Sequence, residues 1–165
     1  MDRRLFLGLT TAAGAAGSLG LGPARAASPD SARNVVLVHG LFADGSWWTD
    51  VIARLQGNGL NVTAVQNTLT NLEDSVAAVQ RVLARQDGPT VLVGHSFAGM
   101  IVSEAGIDPK VSALVYVAAR PPDAGEAYPA LAKTYPPPPA SAGIVFDRAY
   151  ARPTQEPFLR ALAGH

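Results

Sequence analysis

The chain has no cysteine, which excludes disulfide bridges and thiolate-ligated metals. Its three histidines, His39, His95 and His165, lie far apart and form no metal-ligand pattern. Excess charge is also missing, with 13 basic and 13 acidic side chains in 165 residues. Leaving out Asp2, Arg3, Arg4 and Arg25, all within residues 1–26, ten basic and twelve acidic side chains remain. No basic surface for nucleic acid is implied. Residues 5–22 are apolar, but they are diluted with Gly, Ala and Thr. A membrane span needs about 20 predominantly apolar residues, so this stretch is short and weak for one. No internal repeat is visible. What remains fits one domain or part of one, and an apolar fraction of 48% is ample for a core.

The first 26 residues read as an export signal. Arg3-Arg4-Leu5-Phe6-Leu7 is a twin-arginine start, and Ala24-Arg25-Ala26 is an A-x-A cleavage site with the cut before Ala27. This resembles bacterial export of proteins already folded in the cytoplasm. It predicts a periplasmic or secreted product with no stable membrane insertion after cleavage.

From residue 35 the chain alternates strand and helix. The first strand is expected at 35–38 and a helix around 49–56, with Val51, Ile52 and Leu55 inward and Gly57 and Gly59 at its end. A second strand follows at 62–65. Thr70-Asn71-Leu72-Glu73 has the spacing of a capping box, and the helix it opens puts Leu72, Val76, Val79 and Leu83 at helical intervals. Gly88-Pro89 breaks the chain before a third strand. Asp108-Pro109 precedes a fourth, near 112–118. Strands joined by single helices require right-handed crossovers and a parallel sheet, so the fold class is α/β, a parallel sheet flanked by helices.

The third strand carries the chemistry. Val91-Leu92-Val93 reads as a buried strand, Gly94-His95-Ser96-Phe97-Ala98-Gly99 forces a sharp turn, and Met100, Ile101, Val102 and Ala105 give the next helix an apolar side. A serine between strand and helix is the context of a nucleophile elbow, whose strained backbone lifts the hydroxyl above the sheet. Positions two before and two after the serine must be small. Gly94 and Ala98 are small, although the second position usually holds glycine.

A second segment, Asn34-Val35-Val36-Leu37-Val38-His39-Gly40-Leu41-Phe42, is another strand ending in His-Gly. Together the two segments resemble the α/β-hydrolase superfamily. The run from His39 to Trp48, with tryptophan after a glycine-containing loop, is similar to its small serine esterase branch. The resemblance covers roughly residues 34–145. It implies Ser96 as nucleophile and the backbone N–H groups of Leu41 (Phe42 as the alternative) and Phe97 as the oxyanion hole. It implies small carboxylic esters as substrates, with no cofactor and no metal. A cyanohydrin-lyase-like use of the same scaffold belongs to the same class.

The superfamily's triad order is Ser, then Asp or Glu, then His. Here the only histidine after Ser96 is the last residue, His165, and no strand–helix–strand unit is evident after Ala118. Asp123 follows the fourth strand, where some branches of the superfamily carry the acid. Without a base, the Ser96 hydroxyl stays protonated and is a weak nucleophile. The sequence therefore reads as an incomplete domain over 27–165 with later strands missing: a core at 34–119 and a proline-rich lid or tail at 120–165. In that tail, Leu131, Tyr135, Ile144, Val145 and Phe146 are candidates to line an acyl pocket. Two functions stay open, an exported ester hydrolase of impaired activity and a non-catalytic or small-molecule-binding protein on the same fold.

Overall fold

The computed structural model describes residues 31–119, 121–122, 133–137, 139–147 and 150–155. Asp123, Leu131, His165 and the signal segment lie outside the described residues. Four strands, β1 (Asn34–Val38), β2 (Asn61–Val65), β3 (Thr90–His95) and β4 (Val111–Val117), form one sheet in the order β2-β1-β3-β4. Every pairing is parallel. The strands fall where the alternation of residue types predicts them, with ends shifted by a residue or so.

Helices α1 (Thr49–Gly57), α2 (Leu72–Ala84) and α3 (Ala98–Ala105) make the crossovers. Side-chain alternation along β1 splits the core into two layers, as the period of two in a strand requires. Val36 and Val38 join Leu92, Val79, Leu83, Ile101 and Val102 on the side of α2 and α3. Val35 and Leu37 join Val93 and Trp48 on the other, with Ile52 and Leu55 of α1 against them. β1 is buried along its whole length, which explains the unbroken apolar run at 35–38. Full burial of each such valine or leucine contributes about 1.5–3 kcal/mol.

Three details differ from the sequence reading. Val51, expected inward on α1, is exposed; Ile52 and Leu55 alone carry the inner face. The N-cap of α2 is Asn71 rather than Thr70. Its side chain accepts from the Asp74 N–H at 2.7 Å and donates to the Asp74 carboxylate at 2.8 Å. Asn is the better cap, because its planar amide can both accept and donate across the first turn. Finally, the proline-rich segment contains a hairpin of β5 (Ile144–Asp147) and β6 (Tyr150–Pro153). Pro153 is the strand's last residue, so it removes no interior ladder bond.

The far end of α2 is closed by a residue of another element. The Lys110 ammonium donates to the carbonyls of Leu83 at 3.1 Å, Ala84 at 3.0 Å and Gln86 at 2.6 Å. A cation there satisfies orphan carbonyls and opposes the helix dipole, and it ties the start of β4 to the end of α2.

Among the described residues β4 pairs only with β3. Leu114, Val115 and Val117 are exposed on its two faces.

Candidate active site

Ser96 follows directly on β3 and is exposed, at φ +55°. That region is costly for a residue with a Cβ, by roughly 1–2 kcal/mol, so the surrounding structure must impose it. Three contacts do. The Ser96 N–H donates to the Val117 carbonyl at 3.2 Å, tying the turn to the end of β4, and the Ser96 carbonyl accepts from the Gly99 N–H at 3.0 Å as α3 begins. Below the turn, a Cβ built on Gly94 would stand 2.8 Å from both the Ala98 carbonyl oxygen and Val102 Cγ2. β3 and α3 therefore meet with no room for a side chain. The need for a small residue at position 94 is steric, as the motif implies.

The His39-Gly40 turn leaves β1 beside this elbow. A Cβ on Gly40 would lie 2.9 Å from Ser96 Cβ and 3.1 Å from His95 Nδ1. Gly40 is thus the point of contact between the two turns. Leu41 follows it and Phe97 follows Ser96. Among the described residues, neither N–H donates to another backbone group. Phe42, the alternative donor, sits at φ +63°. A positive φ at a bulky residue is unusual and marks a strained loop.

The histidines near the site are occupied elsewhere. His39 is buried. Its Nε2 accepts from the Asn67 N–H at 3.2 Å, so Nδ1 carries the proton and donates to the Gly40 carbonyl at 3.0 Å. Both nitrogens hold backbone, and neither is available to Ser96. The His95 ring stacks on Trp47, with centroids 5.8 Å apart and planes at 24°. It meets Trp48 edge-on at 6.3 Å and 89°. Its Nδ1 is buried without a partner among the described residues, and burial pushes its pKa below the ordinary value. His95 is therefore a neutral aromatic support at pH 7.

Asp44, the acidic residue of the oxyanion loop, is a cap. It accepts from the Ser46 hydroxyl at 2.6 Å and the Ser46 N–H at 2.8 Å, and these bonds hold its carboxyl below the usual range. No side chain among the described residues accepts a hydrogen bond from the Ser96 hydroxyl.

The structure thus brings Ser96 against Gly40, and Phe97 and Leu41 are the residues that follow them. It does not place Asp123 or His165, which lie outside the described residues. Of the tail residues expected against an acyl pocket, Tyr135, Val145 and Phe146 are exposed. Two positioning groups escaped the sequence reading. Val117 acts through its backbone carbonyl, which leaves no mark in residue identity. Asn67 acts through a backbone N–H that only the β2 exit geometry aims at His39.

Residues 35–164 match the model of a family described as the alpha/beta hydrolase family. A carbendazim hydrolyzing esterase from Nocardioides sp. (strain SG-4G) is 30% identical over 129 residues, covering 68% of this chain and 52% of that protein. Polyneuridine aldehyde esterase superposes with a TM-score of 0.58 at 26% identity, covering 64% of this chain and 49% of its own. A pyrethroid hydrolase from Sphingobium faniae JZ-2 superposes with a TM-score of 0.64 at 23% identity, over 75% and 56% of the two chains, a likeness of fold. The chain spans about half the length of the curated relative it matches.

Proposed function

The chain belongs to the alpha/beta hydrolase family, and from that premise we propose that it is an exported serine hydrolase of small carboxylic esters whose activity in this 165-residue form is impaired. The observation that carries the reading is the exposed Ser96 at φ +55°, on an elbow that touches the Gly40 turn. In this reading the Ser96 oxygen attacks the acyl carbon and the carbonyl becomes an oxyanion between the Leu41 and Phe97 N–H groups. The tetrahedral intermediate expels the alcohol, and water then releases the acid from the acyl-serine. The esterase relatives support the substrate class.

The step left without a partner is proton transfer from the Ser96 hydroxyl. Asp123 retains the role of candidate acid. A histidine base would have to come from outside the described residues, because His39 and His95 have other work. That same observation supports a second reading, a non-catalytic protein that binds small molecules over the elbow. Prolonged incubation with a fluorophosphonate, followed by peptide mass mapping, separates the two. The hydrolase reading expects slow phosphonylation confined to Ser96. Labelling no faster at Ser96 than at other exposed serines would favour the binding protein.

Export is proposed on the twin arginines and the Ala24-Arg25-Ala26 site. Among the described residues no helix is long and apolar enough to cross a membrane. Mass spectrometry of protein expressed in a bacterium should find a mature N-terminus at Ala27 in the exported fraction, and replacing both Arg3 and Arg4 by lysine should abolish that fraction. An uncleaved, membrane-bound product would count against it.

A further inference from the structure

We infer that Trp47 is a stacking shelf for a flat, uncharged ring carried by the substrate, which narrows the proposed activity to aryl-bearing esters and rests on the reading of Ser96 as the acyl-transfer centre. Trp47 belongs to the 3-10 turn Gly45–Trp48 that follows the oxyanion loop. One face of its indole lies on the His95 imidazole in near-parallel stacking, yet 39% of the residue is exposed. Its neighbour Trp48 is 5% exposed and meets the same imidazole edge-on. His95 is thus held on two sides, and it in turn supports Trp47 as a fixed platform rather than a swinging side chain.

A single exposed aromatic is ordinary on a protein surface. The position of this one is not. A Cβ at Gly40 would stand within 3.1 Å of both His95 Nδ1 and Ser96 Cβ, so the support of the shelf and the nucleophile flank the same glycine. Leu41, which follows Gly40, and Val117, whose carbonyl accepts from the Ser96 N–H, are exposed large apolar residues as well. A few apolar surfaces around one reactive polar group are the usual make-up of a small-molecule site. The indole face is the element that discriminates among ligands. Two rings in offset stacking gain attraction beyond the area they bury, whereas an alkyl group gains only the area. The chain contains two tryptophans, Trp47 and Trp48, so each can be followed separately.

The test uses the full chain, 15N-labelled, titrated with 4-methylbenzamide and with cyclohexanecarboxamide, neither of which is an ester. The aromatic amide should shift the Trp47 indole N–H resonance saturably and leave that of Trp48 in place. The alicyclic amide should bind about 3- to 10-fold more weakly. Ligand-observed titration should show a similar loss in Trp47→Ala and partial retention in Trp47→Phe, with far-ultraviolet circular dichroism checking that both variants are folded. Ser96→Ala should bind the aromatic amide as the wild type does, so the shelf is read independently of turnover. Equal affinity for the two amides, a response at Trp48 instead of Trp47, undiminished affinity in Trp47→Ala, or no saturable binding would each overturn the inference. A shelf that binds as expected in a protein whose Ser96 is never phosphonylated would sink the hydrolase reading alone.

Discussion

The purified 165-residue chain should hydrolyse p-nitrophenyl acetate at a rate that keeps climbing from pH 7 to about pH 10, with no plateau near neutrality. A histidine base would give a plateau, since its work is complete once the imidazole is neutral, above roughly pH 6.5. Without one, hydroxide must take the proton from Ser96, and the rate follows hydroxide concentration. At pH 7 the chain should retain only what an oxyanion hole and substrate binding give by themselves, roughly 10³–10⁴-fold over water. Ser96→Ala should barely change that value, because the members of a triad act as a unit and no base stands beside Ser96 among the described residues. Near pH 10 the same substitution should reduce turnover about tenfold or more, since hydroxide then stands in for the base. A chain ending at Gly164 should behave as the full one does. A plateau above pH 7 that disappears on removing His165 would identify the terminal imidazole as the base and overturn the impaired reading. Equal rates of wild type and Ser96→Ala at every pH would remove Ser96 from the chemistry.

The largest effect on stability is expected at Gly94. A methyl there would stand 2.8 Å from the Ala98 carbonyl oxygen and 2.8 Å from Val102 Cγ2. Val102 is fully buried, and the Ala98 carbonyl belongs to the first turn of α3, so neither can yield cheaply. Overpacking of this kind destabilises by roughly 1–3 kcal/mol. Gly94→Ala should reach about 3 kcal/mol and Gly94→Val more, enough to unfold a marginally stable domain. Gly88→Ala is the control: a Cβ at Gly88 meets nothing within 4 Å, and the change should stay within about 0.5 kcal/mol. Urea unfolding followed by far-ultraviolet circular dichroism measures all three. The Gly94 variants should also lose whatever Ser96-dependent turnover exists, because separating β3 from α3 releases the strain that lifts the serine. A Gly94→Ala protein as stable as Gly88→Ala would show that the elbow is looser than described.

The sheet was legible in the sequence because burial on both faces leaves no freedom. Val35 to Val38 and Val91 to Val93 are apolar runs too short for helices, and Gly88-Pro89 and Asp108-Pro109 mark where the chain turns. The elbow was legible for a related reason. Only residues without bulk fit where β3 meets α3, so Gly94 and Ala98 register the close approach as composition. Features carried by backbone groups, or by a choice between near-equal partners, were not legible. Asn71 and Thr70 can both cap α2, and the register of the first turn selects Asn71. Val51 has the right polarity to face inward but lies off the inner stripe of α1. The hairpin of β5 and β6 sits in a proline-rich segment whose composition argues against strands.

By itself, then, the sequence determined the order of strands and helices, the parallel sheet, and the serine at its carboxyl edge, because burial and steric exclusion act through residue type. Tertiary structure alone decided which histidine does what. His39 and His95 are chemically alike in the sequence; one follows a valine-rich strand and the other ends one. The loop after β2 delivers the Asn67 N–H to one, fixing its tautomer, and the turn after β1 delivers two indoles to the other, half-covering it as an aromatic support. An imidazole's role depends on what reaches its two nitrogens and its faces. In this protein those groups come from distant parts of the chain.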